Sequence, residues 1–334
     1  MTDTAPDLPL WLRFAKCARD NIVPALLVIR FLLLIMLPIS FAVLLLESSG
    51  VLFYAARFLN PVMRLVGLPG EAALAYMSAV FMNIYSAIAV IEPLALAGNL
   101  SGKQMIILTT MCLIAHNIFV ECVVMKRAGS RFRKMVLLRI AVSFAAGWIL
   151  RWIVPGDPGS FAGAEAPAGG AAPAIGLDLE KFAAGFLPWL TDSLVLILQI
   201  FLIVFTVMFL QRVLAEFGLL KKLSAAAAPL MGFLGLSSNT AYVWIIANTV
   251  GVAYGAGVII DEVKTGELSR MEADLFNHHA AISHSQAEET AVFVSLGVPW
   301  LWAALPRFLL AIAVVWIERA RRAIFRSSFR VKVV

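Results

Sequence analysis

The chain has 334 residues, of which 61% are hydrophobic and 14% charged, with a formal net charge of +6. A soluble domain carries about 25% charged residues, so the composition excludes a soluble globular protein and points to an all-α, polytopic membrane protein. The positive balance does not imply nucleic acid, because the basic residues flank apolar segments, where the positive-inside rule puts them.

In chain order, Arg13, Lys16 and Arg19 precede a first apolar segment at about 25–46. That segment is long for a signal-peptide core and lacks a small-residue cleavage site after it, so it reads as a retained anchor. The stretch 47–72 has the pattern of an amphipathic surface helix, stopped by Gly67, Pro69 and Gly70. Further apolar segments lie at about 73–97, 104–125 and 135–154, with Glu92-Pro93 predicted to break the first of these near its end. A Pro/Gly/Ala-rich stretch at 155–176, with PGDPGS and APAGGAAPA, carries no apolar period and reads as an exposed linker. The second half has apolar segments at about 190–211, 239–260, 275–297 and 299–318, and a second surface helix at 212–236. Each apolar segment is near the ~20 residues that cross a bilayer as a helix. Trp11, Trp152, Trp189, Trp300 and Trp302 sit at segment ends, as interfacial aromatic belts do. Cys17, Cys112 and Cys122 have no CxxC spacing and carry no redox information.

The two halves repeat each other. One constant offset puts Pro61 on Pro229, Gly67-Leu68 on Gly235-Leu236 and Gly98 on Gly266. The same offset puts His116 on His284, Glu121 on Glu289, Arg139 on Arg307 and Trp148 on Trp316. Composition alone would match Leu with Leu, but not His, Glu, Arg and Trp in a single gapless register. Duplicated membrane domains are the units from which many secondary transporters are built.

Loop charges then predict that the repeats are inverted. Lys126, Arg127, Arg131, Arg133 and Lys134 follow the third segment, whereas the aligned Val294, Ser295, Pro299, Leu301 and Trp302 carry no charge. The loop after the second segment shows the opposite asymmetry, with Asp261, Glu262, Glu267, Glu272 and Asp274 in repeat two and Lys103 alone in repeat one. Equivalent loops on opposite sides require an odd number of crossings. The expected fold is therefore two inverted-topology repeats, each with three crossings plus a re-entrant or broken helical segment, for which the polar third segment is the candidate. This puts the N-terminus, the 126–134 loop and the tail inside. The linker, with Asp157, Glu165, Asp178 and Glu180, and the 261–274 loop fall outside. The chain divides into a first membrane repeat (1–154), an extracytoplasmic linker (155–187), a second repeat (188–318) and a basic cytoplasmic tail (319–334).

All four histidines, His116, His278, His279 and His284, lie in the third segments. On a continuous helix Asn277, His284 and Glu288 would share a face, and His278, Ser285 and Glu289 would form a neighbouring stripe. Repeat one offers a thinner set in His116, Asn117 and Glu121. Ionisable groups at membrane depth cost several kcal/mol unless paired or hydrated, so they are functional candidates. The set suits a substrate or ion site where the third segments meet: a divalent metal, with His284 and Glu288 as the ligands on offer, a proton relay or a polar organic solute. The structural reading pairs Glu121 with Arg139 and Glu289 with Arg307, equally spaced along the chain, as salt bridges within each repeat. The same arginines could hold an anion. Asn83 aligns with Gly251, and Asn248 with Val80; these small or polar residues either thin the helices or pack them. The run Gly251, Gly255, Gly257 fits close helix packing, since no strand precedes it.

The 277–290 stretch, the Gly-Leu-Ser turn at 235–237 and the Ala-Tyr-Gly-Ala-Gly-Val-Ile run at 253–259 resemble the nucleoside recognition, or Gate, domain. That family is shared among spore-maturation membrane proteins, the membrane part of bacterial ferrous-iron transporters, concentrative nucleoside transporters and a dipicolinate transporter. The resemblance is most specific at 278–289, and repeat one, with Gly67-Leu-Pro-Gly-Glu71 and Asn83-Ile-Tyr85, looks like a diverged copy. It implies a multi-pass protein of a bacterial inner membrane with a transporter-like fold, and leaves open whether nucleosides, metals or organic anions are handled.

Two functions follow as expectations. One is a secondary transporter or channel for a small polar or ionic solute; the other is a non-transporting scaffold or maturation factor whose polar residues only stitch the helices. An enzyme is not expected, because HExxH and a clear nucleophile are absent. No cofactor is called for. The expected partners are membrane lipid, a small-molecule or ion substrate and a second copy of the chain, since six crossings and two hairpins are few to enclose a pathway.

Overall fold

The computed structural model describes residues 9–96, 98–156, 175–249 and 251–330. Among them are fourteen α-helices, one short 3-10 turn and no strand. The first half contains α1 (Leu10–Ser48), α2 (Val51–Arg64), α3 (Ala72–Phe81), α4 (Ile84–Leu96), α5 (Gly102–Ala115), α6 (Ile118–Arg127) and α7 (Phe132–Ile153). The second contains α8 (Leu179–Glu216), α9 (Leu219–Met231), α10 (Ala241–Thr249), α11 (Val252–Thr265), α12 (Arg270–Ala280), α13 (Gln286–Ser295) and α14 (Trp300–Arg330). The starts of α2, α4, α5, α6 and α7 recur, at the offset that carries His116 onto His284, as the starts of α9, α11, α12, α13 and α14. The sequence repeat is thus also a structural one. Three stretches, Phe132–Ile153, Leu179–Glu216 and Trp300–Ile324, are long and apolar enough to cross a membrane, and a fourth is added if α5 and α6 count as one bent span.

The first helices of the halves pair along their whole length. Arg13 Nε meets Glu216 Oε1 at 3.0 Å, Asn21 Nδ2 donates to the Phe205 carbonyl at 3.1 Å, and Trp189 Nε1 donates to Ser40 Oγ at 3.1 Å. Asp178 N donates to the Ser48 carbonyl at 3.1 Å, which completes an antiparallel α1–α8 pair. Both helices exceed their apolar segments because these polar contacts hold the ends. Helix α8 begins at Leu179, inside the stretch expected as linker, with the Asp178 carboxylate accepting from Lys181 N at 3.0 Å as its cap. Asp157 and Glu165 of that linker, and residues 331–334 of the tail, lie outside the described residues.

The second and third segments are both broken. The second breaks at Met82-Asn83, not at Glu92-Pro93: α4 runs on through Pro93, while Asn83 Oδ1 accepts from Ser86 N at 2.9 Å and starts a new helix. Gln104, in the first turn of α5, donates to the Gly67 carbonyl at 3.4 Å, so α3 and α5 begin at the same end. Laid end to end, α3 and α4 would span about 35 Å, yet residues 97–101 reach about 18 Å at most. The segment therefore doubles back, with α3 packed on both α4 and α5. Asn239 Nδ2 donates to Glu272 Oε1 at 3.4 Å, which brings the start of α10 to the start of α12 in the same way.

The polar third segment, expected to be re-entrant or broken, is broken: α5 and α6 are separate helices bent by 40° at the break.

The acidic 261–274 loop also departs from expectation. Ser130 Oγ, in the α6–α7 turn, donates to Asp274 Oδ1 at 2.5 Å, and Arg322 of α14 pairs with the same carboxylate. Lys134 meets Glu318 at 2.9 Å beside them. The 126–134 and 261–274 loops thus share one end with the last turns of α14. Acidic residues carry little weight in the positive-inside rule, and here Asp274 is neutralised by Arg322.

At the tip of the second hairpin, Gly251 has φ +86° and ψ 162°, a conformation essentially reserved for glycine, and an added Cβ would stand 2.7 Å from Ser285 Oγ. Gly251→Ala is expected to destabilise the protein by about 1–3 kcal/mol, seen as a lower melting midpoint in detergent. An unchanged midpoint would show that the tip does not press on the third segment.

Candidate functional site

The site begins with two helix breaks at equivalent positions. α5 ends at Ala115, His116 is extended, and Asn117 adopts φ +48° before α6 starts. α12 ends at Ala280, and after residues 281–285, with Ser285 at φ +46°, α13 starts. These are the two non-glycine residues with positive φ among those described. The hairpin tips secure both: Asn117 N donates to the Ala79 carbonyl at 2.8 Å and Ser285 N to the Ala247 carbonyl at 2.9 Å. A break inside an apolar protein frees backbone groups that must find partners, and here α3 and α10 provide them.

The breaks place an acid in the first turn of each following helix, Glu121 in α6 and Glu289 in α13, where the helix dipole favours negative charge. Arg139 Nη1 of α7 meets Glu121 Oε2 at 2.5 Å, and Arg307 Nη1 of α14 meets Glu289 Oε2 at 2.7 Å. Both arginines are fully buried. Arg139 Nε donates to the Ile114 carbonyl at 2.7 Å, and Arg307 Nη2 donates to Gln286 Oε1 at 3.2 Å and Thr290 Oγ1 at 3.3 Å. The within-repeat pairing expected from the equal Glu–Arg spacing is present in both halves.

The repeats meet through the other carboxylate oxygens. His116 Nε2 lies 3.3 Å from Glu121 Oε1 and 3.0 Å from Glu289 Oε1. His284 Nε2 lies 3.3 Å from Glu121 Oε1 and 3.8 Å from Glu289 Oε1. The two imidazole centroids are 5.1 Å apart. The two arginines and two glutamates cancel, so the net charge of the cluster is set by how many of its imidazoles are protonated.

Other expected site residues lie elsewhere, because the break ends the helical face on which they were aligned. Asn277 Nδ2 donates to the Met125 carbonyl at 3.1 Å and to Ser130 Oγ at 2.9 Å, tying α12 to the α6–α7 turn. His278 Nδ1 sits 2.5 Å from the Asp274 carbonyl, and its Nε2 is 3.9 Å from Glu318. Glu288 accepts from Tyr85 Oη at 2.6 Å, away from Glu289. Asn117 and Ser285 form the breaks. His279 packs between Trp244 and Phe308, with centroids 6.3 and 6.1 Å away. Tyr85, Gln286, Thr290 and the Asp274–Lys134–Glu318–Arg322 knot were not foreseen. Tyr85 and Glu288 come from different repeats, so no local pattern links them.

Paired broken helices that bring ionisable groups together inside an apolar bundle define a membrane protein with a central polar site. The chain belongs to the nucleoside recognition, or Gate, family. The family's sequence model, described as "Gate: Nucleoside recognition", matches residues 29–131. That is the first repeat, whereas the sequence resemblance was most specific in the second. An uncharacterized membrane protein of Bacillus subtilis (strain 168), YvoD, is 30% identical over 271 residues, covering 81% of this chain and 83% of that protein. No solved structure gives a significant match.

Removing one partner of a buried ion pair leaves the other charge uncompensated. Arg307→Ala is therefore expected to destabilise the protein by about 3–5 kcal/mol. Arg307→Gln combined with Glu289→Gln should recover part of the loss. Denaturant titration in detergent checks both, and equal losses in the single and double variants would mean that the pair is not desolvated.

Proposed function

We propose that the chain is a secondary transporter or channel, not an enzyme, that moves a small polar or ionic solute through a site between two inverted repeats. The observation that carries this reading is the buried cluster of His116, Glu121, His284 and Glu289, set where the two third-segment breaks meet. Discontinuous helices around a midplane site are a recurring transporter plan.

Several contacts support inversion. α5 begins beside Gly67, at the end where Arg151 of α7 donates to the Arg64 carbonyl at 3.0 Å. α12 begins at the other end, beside Ser130, where Arg319 of α14 donates to the Gly235 carbonyl at 2.8 Å. Equivalent elements thus run in opposite directions. Each repeat then has three crossings and one returning segment, the second. In a bacterial inner membrane the positive-inside rule places the 126–134 loop and the basic end of α14 in the cytoplasm, and the 261–274 loop with them. Lipid, the solute and a second copy of the chain are the partners of this reading.

A membrane-impermeant maleimide tests the topology. The native cysteines are buried, and Arg131→Cys and Lys264→Cys should label from one side while Lys103→Cys labels from the other. Labelling of Lys103→Cys and Lys264→Cys from the same side would refute inversion.

The scaffold reading has one specific support, namely that the Arg–Glu pairs stay within their own repeats. Uptake into proteoliposomes decides between the two. Nucleosides, divalent metals and small carboxylates are supplied to wild type and to His116→Gln/His284→Gln, which leaves both Arg–Glu pairs intact. Uptake of one solute class that the folded variant loses supports transport. No uptake of any class by wild type supports the scaffold.

A further inference from the structure

We propose that the central cluster binds one divalent transition-metal ion through His116 Nε2, His284 Nε2 and Glu121 Oε1, with Glu289 beside them. The inference rests on the reading of this cluster as the solute site, and names the solute's class.

Three donor atoms, His116 Nε2, His284 Nε2 and Glu121 Oε1, lie together, with Glu289 Oε1 beside His116 Nε2. An ion held tetrahedrally about 2.0–2.2 Å from each donor sets the donors about 3.3–3.6 Å apart. Glu121 Oε1 stands 3.3 Å from both His116 Nε2 and His284 Nε2. His116, Glu121 and His284 each offer a ligand atom within 4.8 Å of the others.

The histidines are oriented for the task. His116 Nδ1 lies 3.0 Å from the Leu113 carbonyl and His284 Nδ1 lies 2.7 Å from the Ala280 carbonyl. A carbonyl only accepts, so each Nδ1 carries a proton and each ring turns its Nε2 to the cluster. Each Nε2 then faces carboxylate oxygens, where either a proton or a metal ion can sit between the two. His284 Nε2, on a residue 1% exposed, has no aligned hydrogen-bond partner among the described residues.

The arginines complete the second layer. Each takes the outer oxygen, Oε2, of its glutamate and leaves Oε1 facing inward. The other group of this composition, Asp274, His278 and Glu318, shows the contrast. There Lys134 and Arg322 hold the Glu318 oxygen at 2.9 and 2.8 Å, Arg321 binds the same carboxylate, and no inward-facing pair remains. That group is an ion-pair knot.

Two imidazoles with a carboxylate suit Zn²⁺, Fe²⁺ or Mn²⁺ above Mg²⁺ or Ca²⁺, which take more, and all-oxygen, ligands. Because Arg139 and Arg307 already balance both carboxylates, the donor atoms rather than net negative charge hold the ion. That suits an ion that must leave again.

The test uses Zn²⁺, with Co²⁺ as its spectroscopic substitute, on the full chain in detergent. Equilibrium dialysis should find one Zn²⁺ per wild-type chain, undisplaced by excess Mg²⁺. His116→Gln and His284→Gln should each weaken binding by more than about 100-fold, beyond the effect of losing a supporting hydrogen bond. His278→Ala, in the knot, should bind as wild type does. Should the cluster variants fail to fold, the visible absorption of Co²⁺ serves instead: a four-coordinate spectrum in wild type and in His278→Ala supports the site. No stoichiometric Zn²⁺ in wild type, or Zn²⁺ lost in His278→Ala but kept in His284→Gln, overturns the proposal. Vesicle uptake separates the two readings. Zn²⁺ bound at the cluster but never taken up refutes transport and leaves the site standing, while uptake of another solute by a protein that binds no Zn²⁺ refutes the metal alone.

Discussion

Everything in this structure depends on what a helix must do when it stops inside an apolar bundle. Two helices break there, and the amide freed at each break, Asn117 N or Ser285 N, is received by a carbonyl of the neighbouring hairpin, Ala79 or Ala247. Without those acceptors the breaks would leave unsatisfied backbone groups in a medium without water. With them, a residue that would otherwise line a helix face can turn its ring sideways into the centre. The returning second segment is thus the brace that permits a polar site in the third.

The same economy governs the charges. Two desolvated arginines are tolerable because each bonds a glutamate of its own repeat and backbone or side-chain oxygens nearby. Those pairs fix the carboxylates, and the histidines then couple the repeats through oxygens the arginines do not use. The two oxygens of one carboxyl group thus face different partners, Oε2 the arginine of its own repeat and Oε1 the histidines.

Much of this was legible in the sequence. The offset that aligned His116 with His284 also set the start of nearly every helix, because equal sequences in equal surroundings fold alike. The Glu–Arg spacing, the same in both halves, foretold the ion pairs, since it is long enough for the chain to turn and bring two antiparallel neighbours together. What failed was the continuous-helix assumption. It grouped Asn277 with His284 and Glu288, which the break at 281–285 sends to three different places. The hairpin of α3 and α4 is not legible in the sequence because it is apolar, and it is revealed only by where its ends lie. The acidic loop misled because its charges are answered by Lys134 and Arg322, on helices distant in sequence.

The duplication itself has a consequence for assembly. Each half carries one histidine of the central pair, one glutamate and one arginine, so neither half alone can form the constellation. Held in separate chains, the two sets would meet only as often as membrane crowding allowed, and the site would thin out with dilution. Joined through α8, which lies along α1 from end to end, they meet intramolecularly, at an effective concentration fixed by the fold. A centre that two separate halves would form only by association is formed here in every molecule, whatever its abundance.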